Sequence, residues 1–267
     1  MSTQPELLTG VADGIARITF NRPEARNALT AGMVEAMIAF LRRCEHEPDV
    51  RAISITGAGE HFMAGGDVKG FAQAVDASPE ARRALFETLA LDTLPLFELM
   101  ERIPKPIVAS VRGACAGAAI GYVAAADFAL ASETAMFVVA NAAIGTSPDG
   151  GTSWHLPRVV GLRKARQMCL LGERLMAADA VDCGLVNWLH ADDELDAATE
   201  KLLRRLADGP AVALGQAKLL LNGASGNSLA RQLAQEARSA GICAASADFP
   251  EGVSAFAQKR TPMFRGL

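Results

Sequence analysis

Three short segments hold residues whose types and spacing could do chemistry. The runs His61-Phe62-Met63-Ala64-Gly65-Gly66-Asp67 and Gly113-Ala114-Cys115-Ala116-Gly117-Ala118-Ala119-Ile120-Gly121 each follow an apolar stretch that reads as a strand. Small residues let backbone N–H groups come close to a ligand oxygen. Two such donors form an oxyanion hole, which can hold the enolate oxygen of a thioester. The same composition also suits a turn that packs closely on a helix. The third segment, Ser147-Pro148-Asp149-Gly150-Gly151, holds a carboxylate in a sequence that also favours a turn. A carboxylate beside an oxyanion hole can take a proton from carbon and return it.

The elements that must position these loops follow from periodicity. Gly14 to Phe20 alternates as a strand, and Thr30 can cap a helix reaching about Glu47, with Met33, Val34, Met37, Ile38, Leu41 and Cys44 on one face. Ala52 to Thr56 and Ile107 to Val111 are strands that feed the first and second loops. Residues 79 to 102 are helical, with a break at Pro95. Gly117 to Ala126 reads as a helix buried on most sides and opened by Gly117. Phe128–Ala131, Ala135–Val139 and Leu185–His190 are strand candidates, and Arg163–Leu171 and Ala177–Cys183 are helices. From Asp193 the pattern is helical only, interrupted at Gly209-Pro210 and around Gly223–Asn227. Strands and helices that alternate before helices alone predict an α/β core with an α-helical C-terminal part.

The bulk composition limits the partners. The chain has 267 residues, half of them hydrophobic and 21% charged, as in a globular protein with a large core. Its net charge is −4 and it has no basic run, which argues against nucleic acid or a membrane surface. No signal pattern opens the sequence and no run of 18 apolar residues occurs, so a cytoplasmic location is expected. The five cysteines are widely spaced without a CxxC and read as reduced, mostly buried hydrophobes, and the four histidines are dispersed. No metal is predicted.

The order of the motifs resembles the enoyl-CoA hydratase/isomerase (crotonase) superfamily along the whole chain. The resemblance rests on Ile18-Thr19-Phe20-Asn21-Arg22-Pro23-Glu24-Ala25-Arg26-Asn27-Ala28-Leu29, on Phe62 to Asp67 and on Lys105-Pro106-Ile107-Val108-Ala109-Ser110-Val111-Arg112-Gly113. It continues through Gly145-Thr146-Ser147-Pro148-Asp149-Gly150-Gly151, Leu156-Pro157-Arg158-Val159-Val160-Gly161 and Glu251 to Arg260. It implies a crotonase-like α/β spiral of ββα units over residues 1–195, and a C-terminal helical region over 196–267 that assembles a homotrimer or a hexamer. It also implies an acyl-CoA thioester as substrate, with no further cofactor.

Matching the family's motifs places oxyanion donors at the N–H groups of Ala64 and Ala118. The two glutamates of the family's hydratases fall on Gly121 and Asn141, neither of which can take a proton from carbon. Asp149 remains, in the context where family members that shift a double bond place a single acid. The stretch with Trp154 and Leu156-Pro157-Arg158 looks most like the isomerases of phenylacetate breakdown and Δ3,Δ2-enoyl-CoA isomerases. Val138, Val139, Ile144 and Trp154 are expected to shield Asp149 from water. For CoA, the matching positions are Arg26, Ala28, Ala64, Gly66, Asp67, Phe256 and Lys259, the last reaching a nucleotide phosphate, often from a neighbouring subunit.

Other polar residues have plainer readings. Asp67 should brace the first loop, His61 should be exposed, and His155 should be at the surface or satisfied structurally. Asn141 is placed in the acyl pocket, and Met63 and Phe71 read as core. The resemblance implies an enoyl-CoA isomerase that uses one base. A divergent hydratase relying on Asp149 alone and a non-catalytic acyl-CoA-binding homologue stay open. A dehalogenase or thioester hydrolase, in which a carboxylate attacks as a nucleophile, is a third option; Ala140 and Asn141 count against dehalogenation, because they supply neither the aromatic nor the histidine of the dehalogenating relatives. Acyl-chain length depends on residues 71 to 100, the stretch with the least family signature.

Overall fold

A computed structural model describes residues 4–67 and 71–266. The chain begins with a hairpin that periodicity did not announce: β1 (Leu7–Ala12) runs antiparallel to β2 (Ile15–Phe20). Only Leu7 of β1 is buried, so the strand has no alternating apolar face to read. Its turn is Asp13-Gly14, with φ of +53° and +77°, the left-handed pair that a two-residue hairpin loop needs.

From β2 onward the strands of the large sheet run parallel, whereas β7 and β8 of the smaller sheet pair antiparallel. A six-stranded sheet has the order β1-β2-β3-β4-β6-β9, with β3 at Ala52–Gly57, β4 at Ile107–Val111, β6 at Phe128–Ser132 and β9 at Trp188–His190. All five residues of β4 are buried, as expected of a parallel strand covered on both faces. A smaller sheet, β5-β7-β8, is formed by Ala114–Ala116, Met136–Val138 and Leu175–Met176. The chain alternates between the sheets: β4 leads into β5, then a short helix, then β6 and β7. This alternation is the repeated ββα winding. The three-residue strand β5 falls inside the second loop, where small residues conceal it.

Helix α1 (Ala31–His46) starts at Thr30, whose hydroxyl accepts from the Met33 N–H at 3.2 Å. It buries Met33, Val34, Met37, Phe40, Leu41 and Cys44, while Ile38 is only partly covered. Helices α2 (Pro79–Asp92) and α3 (Leu94–Arg102) divide just before Pro95. The short buried helix α4 is Ala119–Ala125, with Ala118 at its N-cap, so Gly117 lies one residue outside it. Helix α5 (Thr152–Val160) was not legible because Pro157 within it reads as a breaker. Then follow α6 (Leu162–Leu171), α7 (Ala177–Asp182), α8 (Leu195–Ala207), α9 (Ala211–Ala224), α10 (Leu229–Ala245) and α11 (Asp248–Gln258).

The sheet-packed part extends past residue 195. Leu195, Leu203, Leu206 and Ala207 of α8 close a second core against Ile15, Ala52, Val108 and Leu130. Helix α9 is fastened to the same body by a buried ion pair. Lys218 Nζ lies 2.8 Å from Asp127 Oδ2 and also donates to the Lys105 carbonyl at 3.2 Å, while Asp127 accepts the Ile107 N–H at 2.7 Å. Burial pushes the Lys218 ammonium down and the Asp127 carboxyl up, and each partner opposes the shift of the other. Among the described residues no helix is long and apolar enough to cross a membrane.

Removing one member of a buried pair leaves the other charge without compensation. Lys218→Ala is expected to cost about 3–5 kcal/mol, read from urea unfolding. Asp127→Asn combined with Lys218→Met should cost less than Lys218→Ala. Equal loss in the two variants would show that packing, not charge, holds α9.

Candidate active site

The two small-residue loops meet across a parallel bridge between Met63 and Cys115. Met63 N–H donates to the Ala114 carbonyl at 3.1 Å, and Ala116 N–H donates to the Met63 carbonyl at 2.9 Å. Gly65 then lies against the second loop, where an added Cβ would come 3.1 Å from the Ala116 carbonyl oxygen. This juxtaposition brings both loops to one pocket of about 410 Å³. Its wall includes Gly66, Gly117, Ala118, Asn141 and Asp149, together with the apolar side chains Leu29, Val34, Phe71, Phe86, Leu89 and Ile144.

Of the two expected oxyanion donors, the structure corrects one. Ala64 N–H is committed to the Arg26 carbonyl at 2.9 Å. The neighbouring bridge between Leu29 and Gly66 explains where the free donor lies. Leu29 N–H donates to the Gly65 carbonyl at 2.8 Å and Asp67 N–H donates to the Leu29 carbonyl at 3.2 Å. Both groups turn towards Leu29, so the intervening Gly66 N–H points to the opposite side and has no acceptor among the described residues. In a bridged segment alternate N–H groups face opposite ways, and the sequence assignment was two residues early. Ala118 N–H likewise has no acceptor among the described residues and sits on the pocket wall.

The first loop is braced by residues that sequence reasoning passed over. Asn27 is fully buried with φ of +56°, and its amide donates to the carbonyls of Ala58 at 3.0 Å and His61 at 2.7 Å. Arg22 donates to the Ala28 carbonyl at 2.7 Å and pairs with Asp67 at 3.1 Å. Asp67 is therefore a brace, as expected. His61 is not exposed: it is half-buried, and its Nδ1 accepts the Ala114 N–H at 3.2 Å.

Asp149 lines the pocket, and the buried Asn141 amide donates to its Oδ1 at 3.2 Å and to the Ser147 carbonyl at 2.9 Å. The side chain in one hydratase position thus orients the remaining acid. At the other such position, an ideal Cβ on Gly121 would lie 1.7 Å from the Gly150 carbonyl oxygen. The backbone after Asp149 occupies the space that a side chain at 121 would need.

The apolar shield expected around Asp149 is mostly absent. The residue is exposed, and Ile144 shares its pocket. Trp154 faces outward, its Nε1 donating to Glu101 at 3.0 Å and its ring stacked under the Arg158 guanidinium. His155 is buried, not at the surface, and packs against Phe97. Desolvation holds its pKa below the ordinary histidine value, more strongly than the Glu101 charge raises it.

Asp92, at the end of α2, is a second carboxylate on the pocket that the sequence did not single out. Its only sequence signal was a place in the stretch 71 to 100. Phe71 is pocket wall rather than core, with its ring 5.0 Å from that of Phe86. Arg26, Ala28 and Asp67 are not among the residues of the pocket wall. Phe256 (88% exposed) and Lys259, at the end of α11, are also absent from it.

Residues 10–266 match the sequence profile of the enoyl-CoA hydratase/isomerase family. A "probable enoyl-CoA hydratase" of Rhodobacter capsulatus is 38% identical, with 96% of each chain covered. The 1,2-epoxyphenylacetyl-CoA isomerase of Escherichia coli is 36% identical, with 97% of this chain and 98% of that protein covered. The crystal structure of an enoyl-CoA hydratase from Polaromonas sp. JS666 superposes with a TM-score of 0.90 at 32% identity, covering 97% and 99% of the two chains. The architecture is the crotonase fold. The chain belongs to the enoyl-CoA hydratase/isomerase family of acyl-CoA enzymes.

Gly121→Ala should force the 149–151 loop away from α4. The expected loss is about 1–3 kcal/mol, the usual cost of overpacking, measured by urea unfolding. Gly121→Glu should not acquire enoyl-CoA hydration, because the carboxylate cannot enter a space filled by backbone. A stable Gly121→Glu protein that hydrates 2-butenoyl-CoA would overturn this account of the glycine.

Proposed function

We propose that this enzyme shifts a C=C bond of an enoyl-CoA thioester by a one-base 1,3-proton transfer. Asp149 takes a proton from the carbon next to the thioester carbonyl, and the C–H electron pair moves onto the carbonyl oxygen to give a dienolate. The N–H groups of Gly66 and Ala118 hold that oxygen, a stabilisation in which each donor is typically worth about 2.7–4 kcal/mol. The protonated Asp149 returns the proton two carbons along, and the double bond comes into conjugation with the thioester. No water is consumed.

The observation that carries the reading is the Asn141–Asp149 hydrogen bond at 3.2 Å. A side chain that cannot be a base orients one that can, on the wall that also holds Ala118. The isomerase named among the relatives is in keeping with it, while the hydratase names leave the reaction open. A second reading, divergent hydration, is favoured by Asp92 alone, because two carboxylates on one pocket could divide acid and base roles.

The test is a paired assay with 3-hexenoyl-CoA for isomerisation and 2-butenoyl-CoA for hydration. The expected result is isomerisation with negligible hydration, reduced ~10²–10⁴-fold in Asp149→Asn, the usual share of a general base. Hydration that Asp92→Asn abolishes would establish the second reading instead. Full isomerisation by Asp149→Asn would overturn the first.

Self-association as a homotrimer or hexamer belongs to the same proposal. Helices α9 to α11 expose Leu221 (76%), Leu229 (75%), Ile242, Phe249 and Val253, side chains that contact between copies would cover. Sedimentation equilibrium should give three or six times the chain mass, and a monomer would refute the assembly.

A further inference from the structure

Two charged side chains line the pocket among the described residues, Asp92 and Asp149, and no lysine, arginine or histidine stands with them. Asp92 is an exposed residue of that wall. Asp149 accepts from the Asn141 amide at 3.2 Å, whereas the Asp92 side chain has no hydrogen bond or ion pair among the described residues. The three threonine hydroxyls on the wall are committed elsewhere. Thr30 donates to Glu6 at 2.7 Å, Thr93 to the Ala90 carbonyl at 2.8 Å and Thr146 to the Asn141 carbonyl at 3.2 Å.

Helix stability does not account for an acid at position 92. The C-terminal end of a helix carries partial negative charge and favours cations. Asp92 is the last residue of α2, whose last turn holds no basic residue. The carboxylate and the helix end therefore add charge of one sign at the same place on the wall. The apolar part of the wall leads to it. An ideal Cβ on Gly66 would lie 3.1 Å from Phe71 Cζ, and the Phe71 ring is 5.0 Å from that of Phe86 on α2. Asp92 follows Phe86 by six residues, about 9 Å along the helix axis.

We infer, on the acyl-CoA reading of the pocket, that Asp92 is a specificity residue that excludes acyl chains ending in a carboxylate and admits those whose far end is neutral or cationic. A terminal carboxylate would leave water for a wall with two like charges and no cation among its described residues. Like-charge contact is a general device for rejecting a wrong ligand. A terminal ammonium meets the opposite field and finds an acceptor in Asp92.

The test uses binding, so it does not depend on turnover. Affinities of hexanoyl-CoA, 6-aminohexanoyl-CoA and adipyl-CoA, which share one acyl backbone length, are measured by calorimetry. The decisive comparison is between the two charged chains, because the apolar wall penalises both for lost hydration. In the wild type 6-aminohexanoyl-CoA should bind about tenfold or more tighter than adipyl-CoA. Hexanoyl-CoA should also bind more tightly than adipyl-CoA. The ratio of the two charged chains should fall as salt is raised, and the CoA moiety cancels from it. Asp92→Asn should bring that ratio below about threefold, and Asp92→Lys should reverse it. Asp149→Asn should leave most of it in place. Equal affinities of the two charged chains in the wild type would overturn the inference, as would a preference that Asp92→Asn leaves unchanged. The wild-type ratio and its salt dependence answer the question even if a variant does not fold. Failure of every thioester to bind would instead refute the acyl-CoA pocket itself. Absence of isomerase activity with the charge preference intact would refute only the proposed reaction.

Discussion

The site depends on the contact between the backbone of Gly121 in α4 and the carbonyl of Gly150. Because no Cβ fits between them, the turn that carries Asp149 can lie directly on the helix whose N-cap is Ala118. The lining of Gly150 against Ala118 is equally close: a Cβ at 150 would stand 3.2 Å from that of Ala118. Donor and acid are thus held by one backbone-to-backbone contact, with no long side chains to freeze. The lack of a side chain at 121 and the close seating of the turn that bears Asp149 belong to the same packing. Moving the acid from a helix side chain to a turn requires the helix to give up its side chain there.

Hydrogen bonds to carbonyls do most of the remaining positioning. Asn27, Arg22 and His61 hold the first loop through backbone groups, and Asn141 holds the third. Each of these polar groups is wholly or partly buried, where an unpaired donor is costly and a satisfied one rigidifies its surroundings. The N–H groups of Gly66 and Ala118 have no acceptor among the described residues and border the pocket. An unpaired backbone donor beside a cavity is where a ligand oxygen gains most.

Where hydrophobic period and caps set the outcome, the elements were legible: Thr30 and the face of α1, β3, β4, the break before Pro95 and the helices after Asp193. The first hairpin strand was not, because β1 buries only Leu7 and exposes Leu8 and Val11. Helix α5 was hidden by Pro157, and β5 by its small residues. At the site, residue types identified both loops and Asp149, but the direction of a particular N–H is set by pairing with Leu29, a contact across about 37 residues that no local pattern encodes. Displacement of the donor from Ala64 to Gly66 follows from that pairing. Asp92 and Tyr122 reach the pocket through tertiary packing of α2 and α4, and neither has a motif around it.

The exposure of Asp149 bears on how a one-base reaction could run in this pocket. A solvated carboxylate is a weak base towards carbon acids, and Trp154, turned outward to Glu101 and Arg158, does not cover it. The same pocket has an apolar wall of Leu29, Val34, Phe71, Phe86, Leu89 and Ile144. An acyl chain laid on that wall would itself displace water from Asp149, so that desolvation would accompany binding. Remote binding energy of the acyl group would then activate the base, and truncated substrates would lose turnover as well as affinity. Such an arrangement places chain selectivity and base activation on the same wall, part of which (Phe71, Phe86 and Leu89) comes from the stretch between 71 and 100 that carries the weakest sequence signature.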